Sequence, residues 1–429
     1  MPKLKKMRLT ILAVFFLLFP ATLFAQETFV PNYDESKMPP YTLADPLVFN
    51  NGKPVKSKKD WEKRRTELLS IFEKEVYGIT PAGKVHLSSV VVSKNENSCN
   101  GKAVRTEVLL TLQKDNKKVD LSLLLFLPKT SQKAPLFLGY NFNGNHTVST
   151  DPGVSVTTSW VQNNPKIGIT SNKSNESRRG SDAASWPIEE IIARGYGVAT
   201  VYYGDVDPDF DDGFHNGVFQ LFTGKRDSAS WGSIAGWAWG LSRVMDYLET
   251  VKGVDSKKVF VLGHSRLGKA ALWAGANDKR FAMVVSNESG CGGAALSKRI
   301  YGETVGRINT SFPHWFCDNF KKYNNKEENL PVDQHELLAL IAPRPLYVCS
   351  AEDDRWSDPK GEFLSCVAAS PVYQLLGKKG FPGKEFPGLQ QPVVGTIGYH
   401  IRPGLHAIKP YDWNCFMNFA DLNFPKGKD

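Results

Sequence analysis

Cysteine is scarce in this chain and badly spaced: six in 429 residues, with no C-x-x-C pair. That excludes a small disulfide scaffold and the common thiolate metal sites, and leaves room for one or two bridges among Cys99, Cys291, Cys317, Cys349, Cys366 and Cys415. Dense runs of Lys and Arg are also missing, which argues against a nucleic-acid partner. No internal repeat or low-complexity tract is present, so solenoids and arrays are excluded. Beyond the N-terminus no apolar stretch is long enough to span a bilayer. The acidic turn Gly204–Asp209 lacks EF-hand spacing, and its aspartates read as solvated turn residues.

What is present begins with an export signal. Lys3, Lys5, Lys6 and Arg8 precede the apolar run Ile11 to Phe19, and Ala21 to Ala25 ends on a small residue. This pattern predicts a signal peptide over residues 1–25, and a secreted or periplasmic mature protein free of the membrane. Four of the 53 basic residues lie in it, which leaves 49 against 44 acidic ones, a net of +5.

Residues 26–57, rich in Pro, Asp and Asn, read as an extended lead-in, and residues 58–429 as a single catalytic domain. Asp60 to Tyr77 has apolar residues at helical spacing behind an aspartate N-cap. Lys84 to Leu127 alternates like antiparallel strands, pausing at 95–101 and 114–117. Core strands follow at Ala134 to Tyr140, Gly197 to Tyr203, Val259 to Leu262, Phe281 to Ser286 and Leu346 to Ser350. Helical stretches intervene, at Trp186 to Ala193 and Trp231 to Leu248 among others. The tryptophans of the second read as packing. Strands alternating with helices predict an α/β-hydrolase fold: a mostly parallel central sheet in a three-layer αβα sandwich, with polar loop insertions. The long polar stretch 147–185 is expected near the mouth of a site.

The chemistry centres on K-V-F-V-L-G-H-S-R-L-G-K-A-A-L at 258–272. A strand, a tight turn flanked by Gly263 and Gly268, and a helix would raise Ser265 above the sheet edge, with the first helix amides beside it. That is how a serine hydrolase presents its nucleophile, although the second glycine comes one place later than in G-x-S-x-G. The same letters nearly spell a phosphate-binding loop, but Ala270 stands where a Mg²⁺-binding hydroxyl is required.

A serine needs a base, and the base an orienting acid. In this architecture the order is serine, acid, histidine, each at the end of a strand. Of eight histidines only His400 and His406 lie far enough downstream. His406, in the loop opening a final helix at Asp412 to Leu422, is the favoured base, and His400 a structural residue among aromatics. Glu288 and Asp354, at the tips of two successive strands, are both candidate acids. Two ionised carboxylates on one imidazole are tolerable if Arg355 or Arg266 offsets the second. The loop 141–146 is expected to supply part of the oxyanion pocket.

The segments G-H-S-R-L-G-K-A-A-L-W-A-G-A at 263–276, N-E-S-G-C-G-G-A-A-L-S-K-R at 287–299, E-D-D-R-W-S-D-P at 352–359 and G-Y-H-I-R-P-G-L-H at 398–406 together resemble the glucuronoyl esterases, carbohydrate esterase family 15, in its bacterial branch. The resemblance spans residues 30 to 425. It implies Ser265 as nucleophile, His406 as base and Glu288 as triad acid, with Asp354 able to share that role. It also implies Arg266 as an oxyanion donor, and Lys269, Glu303 and Trp356 as ligands of the sugar hydroxyls. The expected substrate is an ester of (4-O-methyl-)glucuronic acid, as in lignin–glucuronoxylan linkages. No cofactor or metal and a monomeric state are expected with it. The disulfide beside the active site of fungal members is not expected, because its two places hold His264 and Ile408. The competing expectations are an acetylxylan or feruloyl esterase with the same triad, and a catalytically inactive carbohydrate-binding protein.

Overall fold

The computed structural model describes residues 29–130 and 132–425. The signal-peptide expectation lies outside the described residues. Residues 31–57 run extended, with one short turn of 3₁₀ helix at Glu35–Lys37. The first helix, Lys58–Phe72, continues as a π turn to Tyr77. Its N-cap is Ser57, whose hydroxyl accepts from the Asp60 amide, so the expected aspartate cap sits three residues inside the helix.

A ten-stranded sheet forms the middle layer. In chain order the strands are β1 His86–Ser98, β2 Ala103–Lys114, β3 Lys117–Pro128, β4 Ala134–Asn141, β5 Gly197–Tyr202, β6 Val254–His264, β7 Phe281–Asn287, β8 Leu346–Ala351, β9 Val393–Val394 and β10 Ile397–Arg402. Their order across the sheet is β1-β2-β3-β5-β4-β6-β7-β8-β10-β9. The β1–β2–β3 ribbon is antiparallel, as the pauses at its two turns predict, and joins β5 antiparallel. From β5 through β4, β6, β7 and β8 to β10 every pairing is parallel.

Period-two alternation explains both helix layers. Leu136, Leu138, Val259, Val261 and Val284 point into one core, with Trp237 of helix Ser233–Leu248 and Leu272 of helix Arg266–Asn277. Phe137, Phe260, Leu262, Met283 and Val285 point into the other, with Ile191 of helix Ile188–Ala193 and Trp413 and Phe416 of helix Pro410–Asn423. Strands buried on both faces need runs of apolar side chains, and β6 has one from Val259 to Leu262 and β7 one from Phe281 to Val285. The result is the expected αβα sandwich. The carboxyl ends of β6, β7, β8 and β10 meet along one edge, where open α/β sheets bind ligands.

Among the described residues all six cysteines are free thiols, five of them buried, so the bridges left open by the sequence are not formed. No helix among the described residues is long and apolar enough to cross a membrane.

Candidate active site

The turn after β6 is sterically forced. Ser265 has φ +57° and ψ −131°, a region sparsely populated by residues with a β-carbon. Its amide donates to Asn287 O at the end of β7. A β-carbon on Gly263 would lie 2.0 Å from Leu267 O, so that position must be glycine. Gly268 is pressed between Gly263 O and the Ser289 side chain, each 3.0 Å from where its β-carbon would be. The one-residue delay of the second glycine therefore keeps the turn tight against the neighbouring strand.

Ser265 and His406 share the wall of a cavity of about 330 Å³ with Phe142, Asn143, His264 and Arg266. Asp182, Ser185 and Trp186 close another side, which brings the end of the polar insertion to the site mouth, and Asn143 brings in the loop after β4. A larger cavity of about 540 Å³ around Phe214, Phe222 and Trp231 contains none of the motif residues.

His406 Nδ1 donates to Asp354 Oδ2 at 2.6 Å, and Glu288 Oε2 lies 3.2 Å from the same nitrogen. Both candidate acids thus converge on one imidazole. Glu288, like Ser265, has a positive φ, +47°, a strained backbone at the tip of its strand. Burial alone would lower the His406 pKa, but the bonds to Asp354 and Glu288 overrule it and raise the ring to about 9. Burial pushes Glu288 up to about 7 against the pull of His406 and Arg402. Asp354, also buried, is nonetheless drawn below its ordinary value by the His406 hydrogen bond and charge. Asp354 is the fixed anion of the group, and Glu288 is the carboxyl that takes up a proton first as pH falls.

The cation that offsets Glu288 is Arg402, not Arg355 or Arg266. Arg402 Nη2 donates to Glu288 Oε1 at 2.5 Å while its Nε holds both oxygens of Asp412 at 3.0 and 3.1 Å. Arg355 is instead exposed and bonded to Tyr33 O, and Arg266 is bonded to Asp209. Ala407 N also donates to Glu288 Oε2 at 3.0 Å, which ties the histidine loop to the acid. His400 has its expected structural place: fully buried, it donates through Nε2 to Asp412 Oδ1 at 2.9 Å and meets the Tyr347 hydroxyl at 3.0 Å.

His264 packs against His406 with ring centroids 4.4 Å apart and planes tilted by 39°. Its Nδ1 donates to Asn287 Oδ1 at 2.6 Å, and burial together with the His406 charge holds its pKa at about 3, so it is neutral beside His406.

Lys269, Glu303 and Trp356 are joined to one another rather than set in the cavity wall. Lys269 Nζ lies 3.9 Å from Glu303 Oε2 and donates to the carbonyls of Ser289 and Cys291. Glu303 is hydrogen-bonded to the Trp356 side chain, and its amide donates to Trp356 O at 3.0 Å. Burial lowers the Lys269 pKa and raises that of Glu303, each resisted by the other's charge.

The acidic turn after β5 corrects the sequence reading. Asp205, Asp207 and Asp209 are all buried, and Asp209 bonds Arg266 in the site. No sequence pattern distinguished them from solvated turn residues. Arg402 and Asp412 were missed as well, although Arg402 stands inside the His400–His406 segment.

A strained serine at the carboxyl edge of a doubly covered parallel sheet, sharing a cavity with a carboxylate-bound histidine, defines an ester hydrolase of the α/β-hydrolase class. Comparison with known proteins narrows the class. A family model described as glucuronyl esterase of fungi matches residues 182–377. Carbohydrate esterase MZ0003, from an unknown prokaryotic organism, is 50% identical over 405 residues, covering 93% of each chain. The solved structure of a promiscuous CE15 esterase from a marine bacterial metagenome is 49% identical with TM-score 0.87, covering 92% of this chain and all of that one. The glucuronoyl esterase of Solibacter usitatus is 47% identical with TM-score 0.85, covering 91% and 100%. The chain belongs to the glucuronoyl esterases of carbohydrate esterase family 15, in its bacterial branch, and is a carboxylic ester hydrolase.

Proposed function

We propose that the protein is exported and hydrolyses the ester joining the carboxyl group of (4-O-methyl-)glucuronic acid, carried on xylan, to a lignin alcohol. The observation that carries the proposal is the convergence of Asp354 and Glu288 on His406, in the wall of the Ser265 cavity. The similarity to glucuronoyl esterases supplies the acid half of the substrate.

Ser265 Oγ attacks the ester carbonyl while His406 Nε2 takes its proton. The imidazolium formed is stabilised through Nδ1 by Asp354, with Glu288 as the second carboxylate. Arg266 and the amides opening its helix receive the negative charge of the tetrahedral intermediate. His406 then returns the proton to the leaving alkoxide, freeing the alcohol and leaving an acyl-serine. Water, deprotonated by His406, attacks that acyl group, and the proton passes back to Ser265 as the uronic acid departs. His264, held neutral, adds no competing charge beside the base. Lys269, Glu303 and Trp356, which lie outside the wall of the Ser265 cavity, are assigned to the sugar hydroxyls on the resemblance to the glucuronoyl esterases, Lys269 also bracing the 289–291 backbone.

Hydrolysis of benzyl glucuronate, set against release of acetate from acetylated xylan, tests the reading. The expected result is a kcat/KM on the glucuronate ester at least about tenfold above that for deacetylation, a gap of about 1.4 kcal/mol. Equal or better deacetylation would replace it with the acetylxylan esterase reading.

A further inference from the structure

The guanidinium of Arg266 is held from behind. Asp209, 8% exposed, bonds Arg266 Nη1 through Oδ2 and also accepts the Tyr203 hydroxyl there at 3.1 Å. Its other oxygen, Oδ1, accepts from His314 Nε2 at 2.9 Å and from the Trp315 indole at 2.7 Å. Four donors surround one carboxylate, which is how a buried anion is made tolerable. Because that carboxylate can only accept, His314 carries its proton on Nε2.

The same segment supplies a floor. Phe312 and Trp315 stack with centroids 3.7 Å apart and planes 2° from parallel. The Arg266 guanidinium lies 4.9 Å from the Trp315 ring centre and 5.6 Å from that of Phe312. Residues 312–315 therefore reach back from a segment remote in sequence to enclose the arginine that follows the nucleophile. An arginine left to itself samples many rotamers, and holding one costs conformational entropy that a preformed clamp has already met.

We propose that Asp209 is a positioning residue for ester hydrolysis. It fixes Arg266 where the oxyanion develops, with His314 and Trp315 fixing Asp209 in turn. The inference rests on the reading of Arg266 as an oxyanion donor. An oxyanion site works by being arranged before charge appears, so loosening its arginine weakens transition-state stabilisation more than substrate binding. Asp209 itself keeps its charge across the working range. Burial opposes ionisation, but the His314 bond, the Arg266 charge and the Trp315 bond hold its pKa at about 2.

A double-mutant cycle tests this, with kcat and KM measured on benzyl glucuronate for the full chain, Asp209→Asn, Arg266→Ala and the pair. Asp209→Asn should lower kcat by about 10²-fold, the cost of small misplacements at a reacting centre, with KM within about twofold. In the Arg266→Ala background the same change should lower kcat less than about twofold further, because the group it positions is gone. An equal loss in both backgrounds, a loss confined to KM, or wild-type kcat in Asp209→Asn would overturn the inference. Wild-type kcat in Arg266→Ala would overturn the oxyanion assignment and this inference with it. A loss in Arg266→Ala without one in Asp209→Asn would overturn this inference alone. If circular dichroism shows Asp209→Asn unfolded, Trp315→Phe takes its place in the cycle, removing one donor to Asp209 while keeping the ring. A smaller kcat loss that vanishes with Arg266→Ala supports the clamp, and one that persists overturns it.

Discussion

His406 donates its Nδ1 proton to Asp354 at 2.6 Å, closer than the 3.2 Å that separates the same nitrogen from Glu288. One imidazole thus answers to two carboxylates from successive strand tips, and they differ in charge state as well as in reach. Asp354 is the permanent anion, while Glu288, held by Arg402 and Ala407, is the one raised to about 7.

A general base works only when neutral, and both carboxylates raise His406. Removing either negative charge lowers that pKa, so activity should extend to lower pH. The acidic limb of the kcat/KM profile should move down in Glu288→Gln and further down in Asp354→Asn, whose oxygen is nearer. A limb that stays in place or moves up in both variants would show that His406 is not the titrating base.

Gly263 is the tightest point of the serine turn. Gly263→Ala places a methyl against Leu267 O. A clash with backbone should cost at least about 1–3 kcal/mol, the range for overpacked cores. Gly268→Ala, with 3.0 Å available, should cost less. Urea midpoints of the two variants check the order, and equal midpoints would contradict it.

Glu362 gives a stability prediction with a sign. Its carboxyl takes the amides of Ser289 and Gly290 and the Ser350 hydroxyl beneath the site, and burial raises its pKa to about 8. A carboxyl raised in the folded state binds a proton that the unfolded chain has already lost. Its contribution is full below the ordinary value near 4.5 and is lost as pH rises to about 8. Glu362→Gln cannot lose that proton. The difference in Tm between variant and wild type should therefore shift in favour of the variant from pH 5 to pH 8.5, and a constant difference would contradict the assignment.

Trp356 belongs to the chain Lys269–Glu303–Trp356 and not to the reacting atoms. Trp356→Phe keeps an aromatic ring but removes the indole donor. It should raise KM on benzyl glucuronate by about tenfold, the worth of one well-placed hydrogen bond, with kcat within about threefold. A fall in kcat at unchanged KM would move Trp356 into the transition-state machinery.

Local pattern made most of the fold and the candidate triad legible. The apolar runs of β4, β6, β7 and β8 and the two pauses in the β1–β3 ribbon located those strands, because burial and turn chemistry act within a few residues. Chain order narrows the base to His400 and His406, the loop opening the final helix favours His406, and the structure leaves His400 sealed against Tyr347 and Asp412. What stayed hidden were partners that only three-dimensional contact creates. Asp209 looks like any turn aspartate until His314 and Trp315, 105 and 106 residues further on, close over it. Arg402 was in view inside its motif, but which carboxylate it serves depends on how β7 and β10 are set about β8.

Intact-protein mass spectrometry after treatment with a fluorophosphonate measures directly whether Ser265 is the nucleophile. One adduct should form, mapped by peptide sequencing to Ser265, slowed by at least about 10²-fold in His406→Ala and missing in Ser265→Ala. An adduct at another residue, or undiminished hydrolysis of benzyl glucuronate by Ser265→Ala, would contradict it.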